Sequence, residues 1–64
     1  MTVLDILDTY ILPETYISIY FKDKFYYRGK NKNCLPLQFV WYSNFTLSIE
    51  YLAIRIDILE NQRD

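Results

Sequence analysis

The segment TYISIYFKDKFYYR, residues 15–28, has the pattern of a β-hairpin. Isoleucines and aromatic residues alternate along its first half, a second aromatic run follows, and three charged residues separate the two runs. Period-two alternation of β-branched and aromatic residues is typical of strands that bury one face. We therefore predict two antiparallel strands joined by a loop at Lys22, Asp23 and Lys24.

A three-residue loop centred on Asp23 gives the clearest separation of the two hairpin faces. One face would carry Ile17, Ile19, Phe21, Phe25 and Tyr27. The other face would carry Tyr16, Ser18, Tyr20, Tyr26 and Arg28. A two-residue loop at Lys22 and Asp23 would place Arg28 opposite Ile17 and mix the faces, so we expect the three-residue loop.

The length of 64 residues limits the chain to one domain. A protein this short buries only about 60 % of its unfolded surface, so we expect a single small core over residues 1–64 and a frayed polar tail at residues 60–64. Cys34 is the only cysteine, whereas small secreted folds carry several. The sequence also lacks the basic region of a signal peptide and an apolar run of ~18 residues. We expect a cytoplasmic protein without membrane contact.

The N-terminal residues predict a short amphipathic helix. Thr2 followed by Asp5 resembles a capping box, and the apolar residues that follow recur at helical spacing. Pro13 bars continuation of the helix. The side that packs on the sheet would carry Leu4, Leu7 and Ile11.

The central segment is less regular. We expect the first hairpin to bulge or to leave the sheet at Gly29, the only glycine in the chain. For residues 36–42 we predict one helical turn, because proline is common at the first position of a helix, and an extended segment is the alternative.

Residues 45–58 predict a second hairpin. Aliphatic residues alternate with others on both sides of a reversal at Glu50 and Tyr51, which would place Phe45 opposite Ile56. A helix over residues 47–59 is the competitor, but strict alternation with several isoleucines favours strands. The predicted fold class is therefore α+β: a short N-terminal helix packs on one face of a four-stranded antiparallel sheet made of two hairpins, with a helical turn between the hairpins.

The composition argues against catalysis. Histidine is absent, which removes the commonest general base and metal ligand, and a single cysteine excludes a zinc site or a Cys-His pair within one chain. The sequence contains no glycine-rich phosphate loop. We expect a non-enzymatic protein without a cofactor or a metal.

The second face of the predicted sheet is rich in tyrosine. Tyrosine and arginine are enriched at the energetic centres of protein interfaces, so we expect a protein-binding surface here. Together with two aromatic residues of the central segment, the predicted binding residues are Tyr16, Tyr20, Tyr26, Arg28, Trp41 and Tyr42.

Two other functions compete with this one. Five of the seven basic residues lie close to these aromatics, a pattern typical of single-stranded nucleic-acid binding, although the net charge of −1 opposes it. The residues concerned are Lys22, Lys24, Arg28, Lys30 and Lys32. Self-association into a homodimer, for instance by strand addition at a sheet edge, is the other alternative.

The order of these elements resembles that of small proteins encoded by phages and mobile elements of low-GC Gram-positive bacteria. The likeness lies in the helix at Val3-Leu4-Asp5-Ile6-Leu7, the hairpin of residues 16–29, Leu35-Pro36, and the terminal hairpin around Leu47-Ser48-Ile49 and residues 52–56. The chain departs from these proteins in its extra residues between Pro36 and Phe45 and in its many aromatics. The resemblance implies a protein partner in the host cytoplasm and action as an inhibitor, for example of a defence nuclease.

Overall fold

The computed structural model describes residues 1–33 and 38–59, which form one short N-terminal helix and a four-stranded sheet. The N-terminal helix is α-helical over Val3–Asp5 and π-helical over Ile6–Tyr10, and a 3₁₀ turn spans Asn31–Asn33. The strands are β1 (Tyr16–Phe21), β2 (Lys24–Lys30), β3 (Phe45–Glu50) and β4 (Ala53–Ile58). The α+β class is confirmed. The predicted frayed tail at residues 60–64, and Cys34, lie outside the described residues.

The sheet is mixed, so the prediction of a purely antiparallel sheet is wrong. Its strand order is β2-β1-β4-β3, with antiparallel pairing inside each hairpin and parallel pairing between β1 and β4. The alternation within a hairpin identifies its own two strands. It does not identify which strand of the other hairpin lies alongside, because all four strands present an apolar face.

The first hairpin turns on two residues rather than three. Lys22 and Asp23 both have positive φ angles, 51° and 67°, as a type I′ turn requires. The register then shifts between Ile19 and Tyr20, so that a β-bulge leaves Tyr26 as the extra residue of β2. Ile19 therefore faces Tyr27 as predicted, whereas the faces of residues 25 and 26 are exchanged.

Gly29 lies inside β2, paired with Ile17, and the predicted bulge or exit at this position is wrong. A Cβ atom on Gly29 would lie 2.5 Å from the hydroxyl oxygen of Tyr27. The absence of a side chain at Gly29 therefore leaves space for the ring of Tyr27, which belongs to the same strand.

The second hairpin has the predicted faces but a different register. Phe45 pairs with Ile58 rather than with Ile56, and the turn falls at Tyr51 and Leu52. A shift of two residues keeps every side chain on the same face, so the apolar pattern cannot distinguish the two registers.

The N-terminal helix is held at its start by the predicted capping box and by the central segment. The Asp5 amide donates to the Thr2 hydroxyl, and the Thr2 amide donates to the Asp5 carboxylate at 2.8 Å. The amides of Val3 and Leu4 donate to the carbonyls of Tyr42 and Val40, both at 2.9 Å. These bonds satisfy backbone donors that every helix start leaves unpaired.

The core lies between the helix and the sheet. Leu7 and Ile11 are buried as predicted, whereas Leu4 is only half-buried. Within the predicted helical turn of residues 36–42, residues 38–41 form a hydrogen-bonded turn and Tyr42 forms a β-bridge, so the described part is not a helix. Residues 36–37 are not described. The core cluster consists of Val3, Ile6, Leu7, Ile11, Ile17, Ile19, Phe39, Tyr42, Ile56 and Ile58.

Candidate functional site

The sheet face opposite the helix carries a group of aromatic and charged side chains. The register of the strands brings residues of β1, β2, β3 and β4 together on this side. We call it the outer face and define it by Tyr16, Ser18, Tyr20, Phe25, Arg28, Glu50, Arg55 and Asp57.

Tyr20 lies at the centre of the outer face between two neighbours. The guanidinium carbon of Arg55 is 3.7 Å from the centroid of the Tyr20 ring, which is close cation–π stacking. On the other side, the Phe25 ring meets Tyr20 edge to face at 5.6 Å. The bulge in β2 is what turns Phe25 towards Tyr20.

Arg55 is held in place by carboxylates. Its Nε and Nη2 atoms donate to Asp57, two residues along the same strand, at 2.9 to 3.0 Å. These side-chain hydrogen bonds raise the pKa of Arg55. A carboxylate oxygen of Glu50 lies 3.7 Å from the Arg55 Nη1 atom. The guanidinium is thereby held over the Tyr20 ring.

Arg28 covers the middle of the sheet. Its Nη1 atom donates to the Ser18 hydroxyl at 3.0 Å and lies 3.5 Å from the Glu50 Oε1 atom. Ser18 is almost fully buried beneath it. Glu50 Oε1 accepts no hydrogen bond from the described residues, so its contact with Arg28 is an ion pair without hydrogen-bond geometry. Two guanidinium groups and two carboxylates therefore leave the outer face without net charge.

The structure divides the six predicted protein-binding residues. Tyr16, Tyr20 and Arg28 lie together on the outer face. Tyr26 lies on the opposite side, because the bulge places it against Phe39, with ring centroids 4.9 Å apart. The remaining two are in the central segment.

Those two central aromatics differ in exposure. Tyr42 is 7 % exposed and belongs to the core cluster. Trp41 is 48 % exposed and lies in the turn of residues 38–41. Burial separates Tyr42 from the outer face, and the ring contacts of Tyr20 are with Phe25 and Arg55.

The five basic residues predicted for nucleic acid do not form a free cationic strip. Lys30 and Lys32 both form ion pairs with Glu14, at 2.9 and 2.6 Å. Hydrogen bonds from Lys32 and Lys30 lower the pKa of Glu14 to about 2, and the bond to Glu14 raises the pKa of Lys30. Arg28 contacts Glu50, so acids neighbour three of the five cations.

The other two basic residues stand over aromatic rings at the turn. The Lys22 ammonium is 5.6 Å from the Phe21 ring centroid, and the Lys24 ammonium is 5.8 Å from that of Tyr26. Both rings lie on the helix side of the sheet, because each of them contacts Phe39 of the core cluster. These lysines are consequently separated from the group around Tyr20.

Sequence reasoning missed Phe25, Arg55 and Asp57 as members of the site. The alternation predicts Phe25 on the core side, because it gives no sign of the bulge. Arg55 and Asp57 were on the polar side of the second hairpin in the pattern, but only the pairing of β1 with β4 places them beside Tyr20.

Sequence reasoning also missed an exposed apolar patch on the second hairpin. Large apolar side chains in β3 and its turn are exposed: Leu47 by 47 %, Ile49 by 87 %, Tyr51 by 86 % and Leu52 by 71 %. The pattern assigned Leu47 and Ile49 to the core. A helix about 10 Å wide cannot cover a four-stranded sheet about 14 Å across, so an outer strand keeps its apolar side in solvent.

The described residues, 1–33 and 38–59, contain no group of three or more cysteine, histidine or acidic side chains placed to hold a metal ion. None of their helices has the length and apolar character needed to cross a membrane.

Comparison of the chain with protein-family models, with curated proteins and with solved structures gives no match. The likeness to phage and mobile-element proteins therefore stays a prediction from the order of elements.

Proposed function

We propose that this chain is a non-catalytic protein-binding module and that the outer face is its binding surface. The observation that carries the proposal is the fixed position of the Tyr20 ring between Phe25 and Arg55. Tyrosine and arginine dominate the energetic centres of protein interfaces. Side chains that are already ordered lose little conformational entropy on binding, which favours affinity.

The position of this group in the fold supports the same proposal. Tyr20 and Arg55 come from the two central strands, each of which is hydrogen-bonded to a neighbouring strand on both sides. Tyr16 and Phe25 are exposed at the margin, where they can extend the contact. Anchor residues of protein interfaces lie near the centre of the contact and are surrounded by side chains that exclude water from it.

The charge distribution favours a protein partner over a nucleic acid. Nucleic-acid affinity comes mainly from cations that neutralise phosphates. On the outer face Glu50 and Asp57 accompany the two arginines, and Glu14 accompanies Lys30 and Lys32. A phosphate backbone would meet carboxylates at both places.

We propose a host protein as the partner and inhibition of that protein as the outcome, in the cytoplasm of the host cell. This part of the proposal rests on the resemblance to phage and mobile-element proteins, for which a defence nuclease is a suitable class of target. The proposal of a non-catalytic role rests on the composition, since the chain contains no histidine.

Affinity capture with matched variants tests the proposed surface. Immobilised wild type, Tyr20→Ala and Tyr10→Ala should be exposed to lysate of a low-GC Gram-positive host, and the retained proteins compared. Tyr10 is an exposed tyrosine on the N-terminal helix, so its variant controls for loss of a tyrosine elsewhere. We expect a protein that wild type and Tyr10→Ala retain and that Tyr20→Ala loses.

The retained protein should then be purified and titrated. Truncation of an interface anchor typically costs at least ~2 kcal/mol, so Tyr20→Ala should weaken binding about 30-fold, with circular dichroism showing an unchanged fold. Equal affinity of wild type and Tyr20→Ala would refute the assignment of the outer face. Binding of oligonucleotides tighter than ~10⁻⁴ M at physiological salt would instead favour the nucleic-acid alternative.

A further inference from the structure

The two outer strands of the sheet differ in how they are protected. Edge strands present unpaired backbone groups, and natural proteins guard them with charges, bulges or prolines. β2 is guarded, because it carries Lys24, Arg28 and Lys30 as well as the bulge. β3 reads FTLSIE and has Glu50 as its single charged residue, at its end. Of the two edge strands, β3 therefore has fewer features that oppose the addition of another strand.

β3 also exposes apolar side chains on the side that elsewhere faces the core. Leu47 pairs with the buried Ile56, and Ile49 pairs with Ile54, so both point towards the helix side of the sheet. Ile49 is nevertheless 87 % exposed. Neighbouring Leu52 is also exposed and has a positive φ of 61°, which is uncommon and strained for leucine. Exposed apolar groups and a strained turn thus occur together at this edge.

We propose that β3 pairs antiparallel with β3 of a second copy of this chain around a two-fold axis, which would join two sheets into one of eight strands. Antiparallel self-pairing keeps apolar faces on the same side only if facing positions differ by an even number. With Ser48 on the axis, Leu47 faces Ile49 of the partner subunit and Thr46 faces Glu50 of the partner subunit.

The charge on β3 is compatible with pairing to a second copy of the same strand. In that register the two Glu50 residues lie four positions apart along the paired strands, about 14 Å, which exceeds the screening length at physiological salt. Each Glu50 also contacts Arg28 and Arg55 of its own chain. A second copy therefore brings no like charges face to face, and it supplies the same two aliphatic side chains that the first copy leaves exposed.

The expected affinity follows from the size of the contact. A standard interface takes about 800 Å² from each partner, which would be almost a fifth of the 4345 Å² surface of this chain. One six-residue strand and its turn form a small contact, and small contacts are typical of weak, transient complexes. We expect a dissociation constant of about 1 to 100 µM.

Sedimentation of wild type and two variants tests this proposal between ~5 µM and ~1 mM. Ile49→Lys places a charge next to the two-fold axis of the proposed contact. Leu12→Lys is the matched control, because Leu12 is an exposed aliphatic residue outside the sheet. We expect wild type and Leu12→Lys to dimerise with rising concentration. Ile49→Lys should remain mostly monomeric up to ~1 mM, which corresponds to a dissociation constant above ~1 mM.

Hydrogen exchange distinguishes strand pairing from contact by side chains alone. The β3 amides that point away from β4 should become protected in wild type as concentration rises and stay unprotected in Ile49→Lys. A wild type that is monomeric at the highest concentration, or a dimer with unprotected β3 amides, would overturn the proposal. So would Ile49-dependent capture of a foreign protein by a monomeric chain.

This inference is independent of the proposed function. Tyr20→Ala alters the outer face and should leave dimerisation unchanged, whereas Ile49→Lys should leave the Tyr20 surface intact. Failure of one proposal therefore does not imply failure of the other.

Discussion

The side chain of Asn31 ties the end of the N-terminal helix to the segment that follows β2, and its replacement is a direct test of how the helix is held. Its Nδ2 atom donates to the carbonyl oxygens of Leu7 and Ile11 at 2.7 and 2.8 Å. Carbonyl groups at a helix end have no partner within the helix. Asn31 thus supplies, from 20 or more residues away, a cap for the π-helical segment.

The size of the effect follows from these two bonds. A typical intramolecular hydrogen bond contributes about 0.5 to 1.5 kcal/mol net, so Asn31→Ala should lower the free energy of unfolding by about 1 to 3 kcal/mol. A chain of this length has a total stability of about 3 to 10 kcal/mol. At about 4 to 8 °C per kcal/mol, the melting temperature should fall by about 4 to 24 °C.

Asn31→Asp should be more damaging at neutral pH. It has nearly the same shape, but it exchanges a donor for a carboxylate next to two carbonyl oxygens at the negative end of a helix. The pKa of the introduced carboxyl should therefore be raised in the folded state. Folding then favours the protonated form, so the deficit relative to wild type should be small at low pH and grow as pH rises through that pKa.

Urea denaturation of wild type, Asn31→Ala and Asn31→Asp at pH 3.5 and 7 measures these differences. Asn33→Ala is the control, because Asn33 is an exposed asparagine in the same 3₁₀ turn. The reasoning is refuted if Asn31→Ala is as stable as Asn33→Ala, or if Asn31→Asp shows the same deficit at both pH values.

Three other substitutions test the packing and the charges. Ile19 is fully buried, so Ile19→Ala should lower the free energy of unfolding by about 2 to 5 kcal/mol. Thermal melts in which Tyr20→Ala is less stable than Ile19→Ala would contradict the assignment of the two faces. Gly29→Ala should lower the free energy of unfolding by about 1 to 3 kcal/mol, because the new Cβ atom would lie 2.5 Å from the Tyr27 hydroxyl oxygen. The loss of stability should be smaller in a Tyr27→Ala background. An equal loss in both backgrounds would exclude this contact as the cause. The pKa of Glu14 is lowered from 4.5 to about 2, so its contribution to stability is present above pH 4.5 and is lost as pH falls towards 2. Glu14→Gln should lack this acid-sensitive part, and a carboxyl titration by NMR with a midpoint near 4.5 would contradict the ion pairs.

The local features of the fold could be predicted because each depends on neighbours in the chain. Thr2 and Asp5 are three residues apart, so their reciprocal hydrogen bonds form within one turn of helix. The alternation around Ile17 and Ile19 placed both residues in the core, where both are fully buried. The two hairpins themselves follow from the same period-two pattern.

The errors in the hairpins have a common cause. Alternation specifies which face a side chain occupies, and registers that differ by two residues satisfy it equally, so Phe45 could not be matched to Ile58. The turn at Lys22 and Asp23 contains no glycine, so the sequence gives no sign of its positive φ angles. The bulge at Tyr26 restores the pairing of Ile19 with Tyr27 after this shorter turn, and it could not be inferred without knowing the turn.

The candidate site shows the same division. Tyr16, Tyr20 and Arg28 belong to one hairpin, and their common face could be read from the pattern of that hairpin. Arg55 comes from the other hairpin, and its position over Tyr20 depends on β1 lying parallel to β4. The pattern within either hairpin alone does not show that β1 and β4 are neighbours.

Sequence patterns thus account for the elements of this protein and for the apolar side of each strand, because these arise from spacing along the chain. The order of the strands, the join of Arg55 to Tyr20 and the exposure of Ile49 arise from packing between distant segments. A single short helix can cover only part of a four-stranded sheet, and the strand left at its margin depends on that order. The two surfaces proposed for binding therefore emerge only when the hairpins are assembled.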